Sequence, residues 1–454
     1  MKRREFLKNT AAGIAAIGSA ATMFGCGNSG NPASTDNGDG AVSGNVSSKG
    51  NSAAPVDKRT ALGDEISLLG YGCMRWPRKK DENGKRVPDQ EAINELVDYA
   101  IAHGVNYFDS SPRYMDGKSE EAAATALLRH PRESYFIATK LSIYQPGTFD
   151  EYLKMYRRSF EIYQTDYIDY YLLHALSDGK DFKERFLDNG FLKFLQEEKA
   201  AGRIRHLGFS FHGKEKGFDE LMALHDTYHW DFVQIQMNWL DWNHAGGRNG
   251  NASHMYAELE KRHIPVVIME PLFGGQLAKL PSNAVNRLKA IEPDRSVASW
   301  AFRFCGSFPE VLTVLSGMDC MEHLQDNIRT FSGLKPLGNT EMELLERIAE
   351  TVSQFPLIRC TACQYCMPCP FGIDIPGIFK FYNTEIRERS FDLNENQKST
   401  ARQKRKFLLK YDKAVASLAQ ADHCIACGRC VSRCPQRIAI PKEISRIDKF
   451  IESI

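Results

Sequence analysis

The sequence has no excess of either charge: Lys+Arg 58 stand against Asp+Glu 57 over 454 residues. A protein that neutralises a nucleic-acid backbone carries a basic surplus, so nucleic acid is not expected as a partner. It also has no apolar run of membrane-spanning length. The run at residues 11–25 is built of small residues and is too short and too weakly apolar to span a bilayer stably. With 43% hydrophobic and 25% charged residues, the composition is that of an ordinary soluble protein long enough for two or three domains. Cysteine, by contrast, is plentiful. Of twelve, eight fall in CTACQYCMPCP (360–370) and CIACGRCVSRCP (424–435), leaving Cys26, Cys73, Cys305 and Cys320.

The N-terminus MKRREFLKNT carries Arg3-Arg4, then Phe6-Leu7-Lys8 and the small-residue run. It resembles a twin-arginine export signal, read by a translocase that carries folded, cofactor-loaded proteins. The resemblance implies a signal over residues 1–26 and a periplasmic or cell-envelope protein. A chance basic N-terminus on a cytoplasmic protein is the alternative. Cys26, after MFG, resembles a lipoprotein cleavage site and implies a lipid anchor there. Residues 27–57 have the composition of a disordered tether, which suits an anchor and a plain spacer equally.

From 58 to 337, eight short apolar runs alternate with longer amphipathic stretches: SLLGYG, VNYFD, YFIATK, YIDYYLLH, IRHLGFS, FVQIQMN, PVVIMEP and VLTVLSG. Helical candidates lie between them, at 91–104 and 120–130 for example. Eight repeated βα units predict an α/β protein with a (β/α)8 TIM barrel, a fold that takes ~250 residues. Asp109, Lys140, His174, Ser210, Asn238, Glu270 and Ser316 each fall at or beside the C-terminal end of a run. In such a barrel that end carries the active site, so these seven side chains are expected to converge.

YFDSSPRYMDGKSEEAAATALL, with Lys140 in FIATK and His174 in YYLLHA, resembles the aldo-keto reductase family over residues 61–337. The resemblance implies a catalytic tetrad of Asp109, Tyr114, Lys140 and His174. The chemistry suits it. Hydride transfer to a carbonyl builds negative charge on oxygen, which a positioned acid neutralises. Tyr114 is the expected acid, with a Lys140 ammonium lowering its pKa, Asp109 holding Lys140, and His174 orienting the substrate oxygen. The resemblance also implies NAD(P)H contacts at Gly72, Ser210, Gln234, Pro271, Leu272, Gly274, Asp326 and Asn327. Here the sequence departs from the family. Phe211, followed by His212, replaces an expected Asn, and Met269 stands for the aromatic under the nicotinamide. His323 stands where an arginine would hold a 2′-phosphate, which an imidazole binds less well.

Cys424, Cys427, Cys430 and Cys434 before Pro435 have the C-x2-C-x2-C-x3-C-P spacing of bacterial ferredoxins, so residues 338–454 are expected to form a helical iron–sulfur domain. Cys360, Cys363, Cys366 and Cys369 before Pro370 shorten the last gap to two. In two-cluster ferredoxins the fourth cysteine crosses over, which predicts a 4Fe-4S cluster on Cys360, Cys363, Cys366 and Cys434, and another on Cys424, Cys427, Cys430 and Cys369. One cluster, with the first stretch unfilled or structural, is the other reading. Zinc would more often show two separated C-x2-C pairs, and disulfides fit so dense a packing poorly. Residues 338–355 read as a helix coupling barrel to clusters, and 386–420 as two helices with a polar connection. The RQKRK run there is either a docking face for an acidic redox partner or a solvated helix face. Cys73, Cys305 and Cys320 are expected as small buried hydrophobes, with Cys73 near enough to the barrel mouth to line the cofactor site.

Three functions are open at this level: a carbonyl/alcohol oxidoreductase whose clusters exchange electrons with its barrel; ordinary NAD(P)H chemistry beside structural clusters; and an electron-transfer protein with a relict site. Export favours the first, because no replenished NAD(P)H pool exists outside the cytoplasm. Since clusters pass one electron and a hydride carries two, a flavin is a chemically natural go-between, although no flavin motif is visible.

Overall fold

The structure, a computed structural model, describes residues 54–388 and 400–453. The export signal, Cys26 and most of the tether lie outside the described residues, as does the connection at 389–399. Among the described residues no helix is long and apolar enough to cross a membrane. Ala53–Asp448 form one compact unit, and the chain end from Lys449 falls outside it.

All eight apolar runs are strands: β1 (Leu69–Gly72), β2 (Tyr107–Asp109), β3 (Phe136–Leu141), β4 (Ile168–Leu176), β5 (Ile204–Phe211), β6 (Val233–Gln236), β7 (Val266–Met269) and β8 (Val311–Ser316). Each pairs in parallel with the next, and β8 pairs with β1 to close the barrel. Tyr107, Ala138, Tyr170, Leu172 and Val267 fill its interior. A hairpin the sequence reading did not separate, Lys58–Ala61 with Asp64–Ser67, precedes β1. Its Ile66 joins the interior cluster, and its Asp64 accepts from Arg205 at 2.5 Å and from the Tyr170 hydroxyl at 3.0 Å.

The helices form because their apolar residues repeat on one face. α1 (Gln90–Ala102) buries Ile93, Leu96, Val97 and Ala100. α2 (Ser119–Leu127) and α3 (Phe149–Tyr163) follow β2 and β3, and Thr148 caps α3 in a reciprocal bond with Glu151. α2 also carries a carboxyl that the sequence reading passed over. Glu120 is buried and accepts from Thr139 of β3 at 2.6 Å and from Ser159 of α3 at 2.9 Å. Burial pushes its pKa up to about 7. The unfolded carboxyl ionises near the ordinary value, so folding stability should fall as pH rises from there through about 7. Glu120→Gln should abolish that loss. Its thermal unfolding midpoint should exceed that of the parent at pH 8 and match it at pH 5.

α4 (Asn339–Ser353) buries Leu344, Leu345, Ile348 and Val352 in the core that surrounds the barrel. Beyond it, α5 (Ile375–Arg387), α6 (Ala401–Ala414) and α7 (Ile440–Ser453) accompany the two cysteine stretches. These stretches are copies of one loop. Ala362 and Ala426, each just before a second cysteine, are left-handed with φ of 53° and 57°. Gln364 and Gly428, each just after it, have φ of 65° and 75°, and Gly372 and Arg437, three past each fourth cysteine, have 76° and 46°. The repeat is present in the sequence as CPFGIDIP and CPQRIAIP, each ending where a helix begins. It survives the unequal last gap.

This region lies on the C-terminal mouth of the barrel. Arg359 donates to Asp241 and to the His244 carbonyl, each at 2.6 Å. Gln276 donates to the Cys360 carbonyl at 2.8 Å, and Arg75, after β1, to the Thr361 carbonyl at 2.5 Å. On the loop after β7, a Cβ added at Gly274 would meet the Thr361 Cα at 2.6 Å, so a glycine is needed where the two segments touch.

Candidate active site

Asp109 ends β2, Lys140 and His174 lie near the ends of β3 and β4, and Tyr114 opens the turn after β2. Met115 and Asp116, both left-handed, tighten that turn. The four side chains share one cavity of about 2080 Å³. Lys140 Nζ is buried and donates to Asp109 Oδ1 at 2.5 Å, Oδ2 at 2.6 Å and the Ser110 carbonyl at 2.8 Å. It sits 5.1 Å from the centroid of the Tyr114 ring, and that ring meets the His174 ring edge-on at 6.0 Å.

One expectation is reversed. All three protons of Lys140 go to Asp109 and Ser110, so the ammonium does not bond the Tyr114 hydroxyl. Burial pushes the Tyr114 pKa well above its ordinary value, and the charges of Asp109, Tyr144 and Glu270 push it further. Tyr114 therefore keeps its proton throughout the physiological range and releases it only to a stronger base. An alkoxide formed from a carbonyl is such a base.

His174 is held neutral, first by burial and then by the cations Lys140, Arg185 and Arg113. Its Nδ1 lies 2.5 Å from Ser142 Oγ, which lies 2.7 Å from Ser111 Oγ. Arg185 holds the His174 carbonyl at 2.7 Å, and left-handed Ala175 donates its N–H to Ser210 Oγ at 2.8 Å. Among the described residues His174 Nε2 has no protein partner, which leaves it for a substrate oxygen in the cavity.

Gly72, Ser210, Gln234, Pro271, Leu272, Gly274, Asp326 and Asn327 all line the same cavity. Gln234 supports Asp109 by a hydrogen bond, and its Oε1 is a buried acceptor with no partner. That orphan fits a carboxamide N–H. Asn327 gives its amide to Ser316 Oγ at 2.9 Å. Phe211 turns out of the cavity and packs edge-on against Phe218 at 5.0 Å. His212 takes its place, held neutral with a pKa lowered to about 3 by burial and Arg248. Met269 and His323 both line the cavity, and His323 is tied there to Asp319 at 2.8 Å, a pairing that raises its pKa. Glu270 places a carboxyl there, pushed up by burial and hydrogen-bonded by Gly274 and Thr361. Ser316 is at the wall too, while Asn238 turns inward to bond Asp241 at 2.9 Å. Cys73 is fully buried behind the wall, its thiol on the Tyr71 carbonyl, and so does not line the cofactor site. Cys305 is buried as expected, but Cys320 is only half-buried.

Two further tyrosines, Tyr144 and Tyr365, belong to the site without any signal in the sequence. Tyr144 follows β3 and lies 3.3 Å from His174 Nδ1. It is hydrogen-bonded to Tyr365, which stands between Cys363 and Cys366 and lines the cavity with it. The cysteine loop thus supplies part of the catalytic wall, a role that a spacer position does not announce. Tyr144→Phe and Tyr365→Phe should each lower kcat/KM about fivefold, the worth of a hydrogen bond of about 1 kcal/mol. The double variant should fall no further than the worse single one, because both remove the same bond.

The eight clustered cysteines form no disulfide, and their mutual charges sort them into the crossed sets. Cys434 acts on Cys360, Cys363 and Cys366, while Cys424, Cys427 and Cys369 act on Cys430. Among the described residues no three of these sulfurs lie within 4.8 Å of one another. Zinc, with Zn–S near 2.3 Å, would bring four sulfurs to about 3.8 Å apart. Cys360, Cys363 and Cys434 line the cavity, whereas Cys366 of the same set and all of Cys369, Cys424, Cys427 and Cys430 do not.

A parallel barrel with this tetrad at its mouth and ferredoxin-like thiols above it defines an oxidoreductase class. Residues 68–350 match the aldo/keto reductase family, and 356–438 match the 4Fe-4S dicluster domain. The chain belongs to the aldo/keto reductase family. It is 23% identical over 320 residues to the uncharacterized oxidoreductase YqkF of Bacillus subtilis, which covers 62% of this chain and 92% of that one. It is 29% identical over 188 residues to probable aldo-keto reductase 1 of Glycine max, covering 40% of this chain and only 50% of the relative. An aldo/keto reductase of Klebsiella pneumoniae, solved with NADP and acetate, shares the fold with a TM-score of 0.51 at 20% identity, over 65% of this chain and 95% of that one.

Proposed function

We propose that this protein interconverts a carbonyl and an alcohol in the barrel cavity and exchanges the electrons through two 4Fe-4S clusters. The supporting observation is that the tetrad and three thiols of one crossed set, Cys360, Cys363 and Cys434, line the same cavity. Tyr114 donates its proton to the substrate oxygen, or takes it back in the oxidative direction. His174 Nε2 positions that oxygen, and its neutrality lets it donate a hydrogen bond without competing for the proton. The Lys140–Asp109 pair supplies fixed local charge beside the ring. Bound clusters supply one-electron exchange, with Cys360, Cys363, Cys366 and Cys434 holding one and Cys369, Cys424, Cys427 and Cys430 the other. Two clusters match the two electrons of one hydride; the hydrogen on carbon would come from a bound hydride carrier charged by two one-electron transfers, while Tyr114 supplies the one on oxygen.

The dinucleotide that the Klebsiella structure holds suits this chain only in part. Ser210 and Gln234 suit a carboxamide, but Thr361 of the cysteine stretch packs on Gly274, and the buried Glu270 carboxyl lies on the same loop, where Leu272 and Gly274 were expected to meet the cofactor. No step is routed through it. Anaerobic purification, extraction of bound cofactor and an assay of aldehyde reduction with reduced viologen test the reading. Turnover without added NAD(P)H, lost when the clusters are removed by chelation, supports it. Brisk turnover on added NADPH, indifferent to cluster loss, would establish the clusters as structural. Whether the carrier between cluster and substrate is a nicotinamide or a flavin is read from the same extract.

Export by the twin-arginine route, with a lipid on Cys26, completes the proposal and rests on Arg3-Arg4 and the segment behind it. Retention in a host lacking that translocase tests the route, and loss of acyl labelling in Cys26→Ala tests the anchor. An acidic electron-transfer protein docking on the 402–406 run is the corresponding partner.

A further inference from the structure

We infer that the cavity takes an anionic substrate, a carbonyl or alcohol compound bearing a carboxylate or phosphate group, gripped by Arg113 and Arg248. This rests on the function proposed above and names its substrate class.

The chain as a whole is balanced, yet the cavity is not. Thirteen lysines and arginines line it against seven aspartates and glutamates. Several of these cations are already committed within the fold. Lys140 is paired with Asp109, and Arg185, paired with Asp181 at 2.9 Å, spends its remaining donors on the carbonyls of Ile143 and His174. Arg113 and Arg248 differ. Arg113, next to Tyr114, donates Nε to the Ser142 carbonyl at 3.1 Å, and Arg248 donates Nε to the His212 carbonyl. Neither makes an ion pair with a carboxylate among the described residues, and both line the cavity.

Their position relates them to the chemistry. The charges of Arg113 and Arg185 both act on His174 and on Tyr144, so the oxygen-binding end lies in a positive field. Arg248 is half-buried, and burial, Arg437 and Arg185 pull its pKa down to about 10 against the opposing charges of Asp181 and Asp178. A guanidinium offers paired donors that match a carboxylate or a phosphate. Arg248 also acts on Cys434, so part of its charge is opposed by a cluster when one is bound. Arg113 acts on His174 and Tyr144 at the oxygen-binding end, and it therefore decides the question.

The test uses the anaerobic holoprotein and three probes: malonate, inorganic phosphate and malonamide, the neutral counterpart of malonate. Binding is measured by calorimetry, and site occupancy by protection of His174 from diethylpyrocarbonate, quantified by peptide mass. At least one anion is expected to bind and to protect His174, with malonamide at least tenfold weaker. Arg113→Gln should weaken the anion at least tenfold, Arg113→Lys should restore part of the loss, and Arg248→Gln should weaken it independently. The tighter anion identifies carboxylate or phosphate as the natural group. Equal binding of malonate and malonamide, no binding of either anion, or an unchanged affinity in Arg113→Gln would overturn the inference. If aldehyde turnover remains sensitive to Tyr114→Phe while anions fail to bind, the inference falls and the proposed function stands. If anions bind but Tyr114→Phe leaves turnover intact, the reverse holds.

Discussion

Tyr114→Phe should lower carbonyl turnover about a thousandfold, within the range of ~10²–10⁴ that a positioned general acid contributes. The phenyl ring keeps its packing beside His174 and Lys140, so the thermal midpoint and iron content should match the parent. The pH profile gives a second check. Tyr114 is pushed above its ordinary pKa and His174 below its own, so neither group changes protonation between pH 6 and 9. The parent's kcat for reduction should therefore be flat across that window. A steep alkaline fall would mean that the phenol ionises early, returning Lys140 to the acidifying role that its bonds to Asp109 and Ser110 deny it.

Cys434→Ala and Cys360→Ala combined in one chain should keep as much iron as either alone, whereas Cys434→Ala with Cys424→Ala should lose nearly all of it. Crossed ligation demands this result, because Cys434 and Cys360 would serve one cluster and Cys424 the other. Ligation within each stretch demands the opposite, and iron analysis with low-temperature spectra of the reduced protein decides between them. Cys434→Ala should also suppress viologen-driven reduction more strongly than Cys424→Ala does, because only the first removes the cluster whose thiols border the cavity. Equal losses of turnover would mean that both clusters must be present for electrons to enter.

Much of the site was legible because it depends on order along the chain. Polar residues at the ends of apolar runs had to meet once eight parallel strands closed, and Asp109, Tyr114, Lys140 and His174 do meet. What was illegible depends on the environment each side chain enters. Phe211 reads as a residue of the cofactor wall, but alternation along β5 and the proximity of Phe218 carry it outward and leave His212 at the cavity. Cys73 follows a cavity-lining glycine, yet its side chain falls on the other face of the wall. Glu120 looks like an ordinary first-turn helix acid until Thr139 and Ser159 close around it. Tyr365 looks like a spacer until its loop lies across the barrel mouth.

The sequence by itself determined the alternation that makes a barrel, the strand ends at which the tetrad stands, and cysteine spacings suited to iron. All of these are properties of distance along a covalent chain. Only the tertiary structure decided that the cysteine region covers the mouth, that Lys140 serves Asp109 rather than Tyr114, and that Arg113 and Arg248 line the cavity without an ion-pair partner among the described residues. Those outcomes turn on burial and on competition for hydrogen-bond partners, and neither exists until segments hundreds of residues apart have packed against one another.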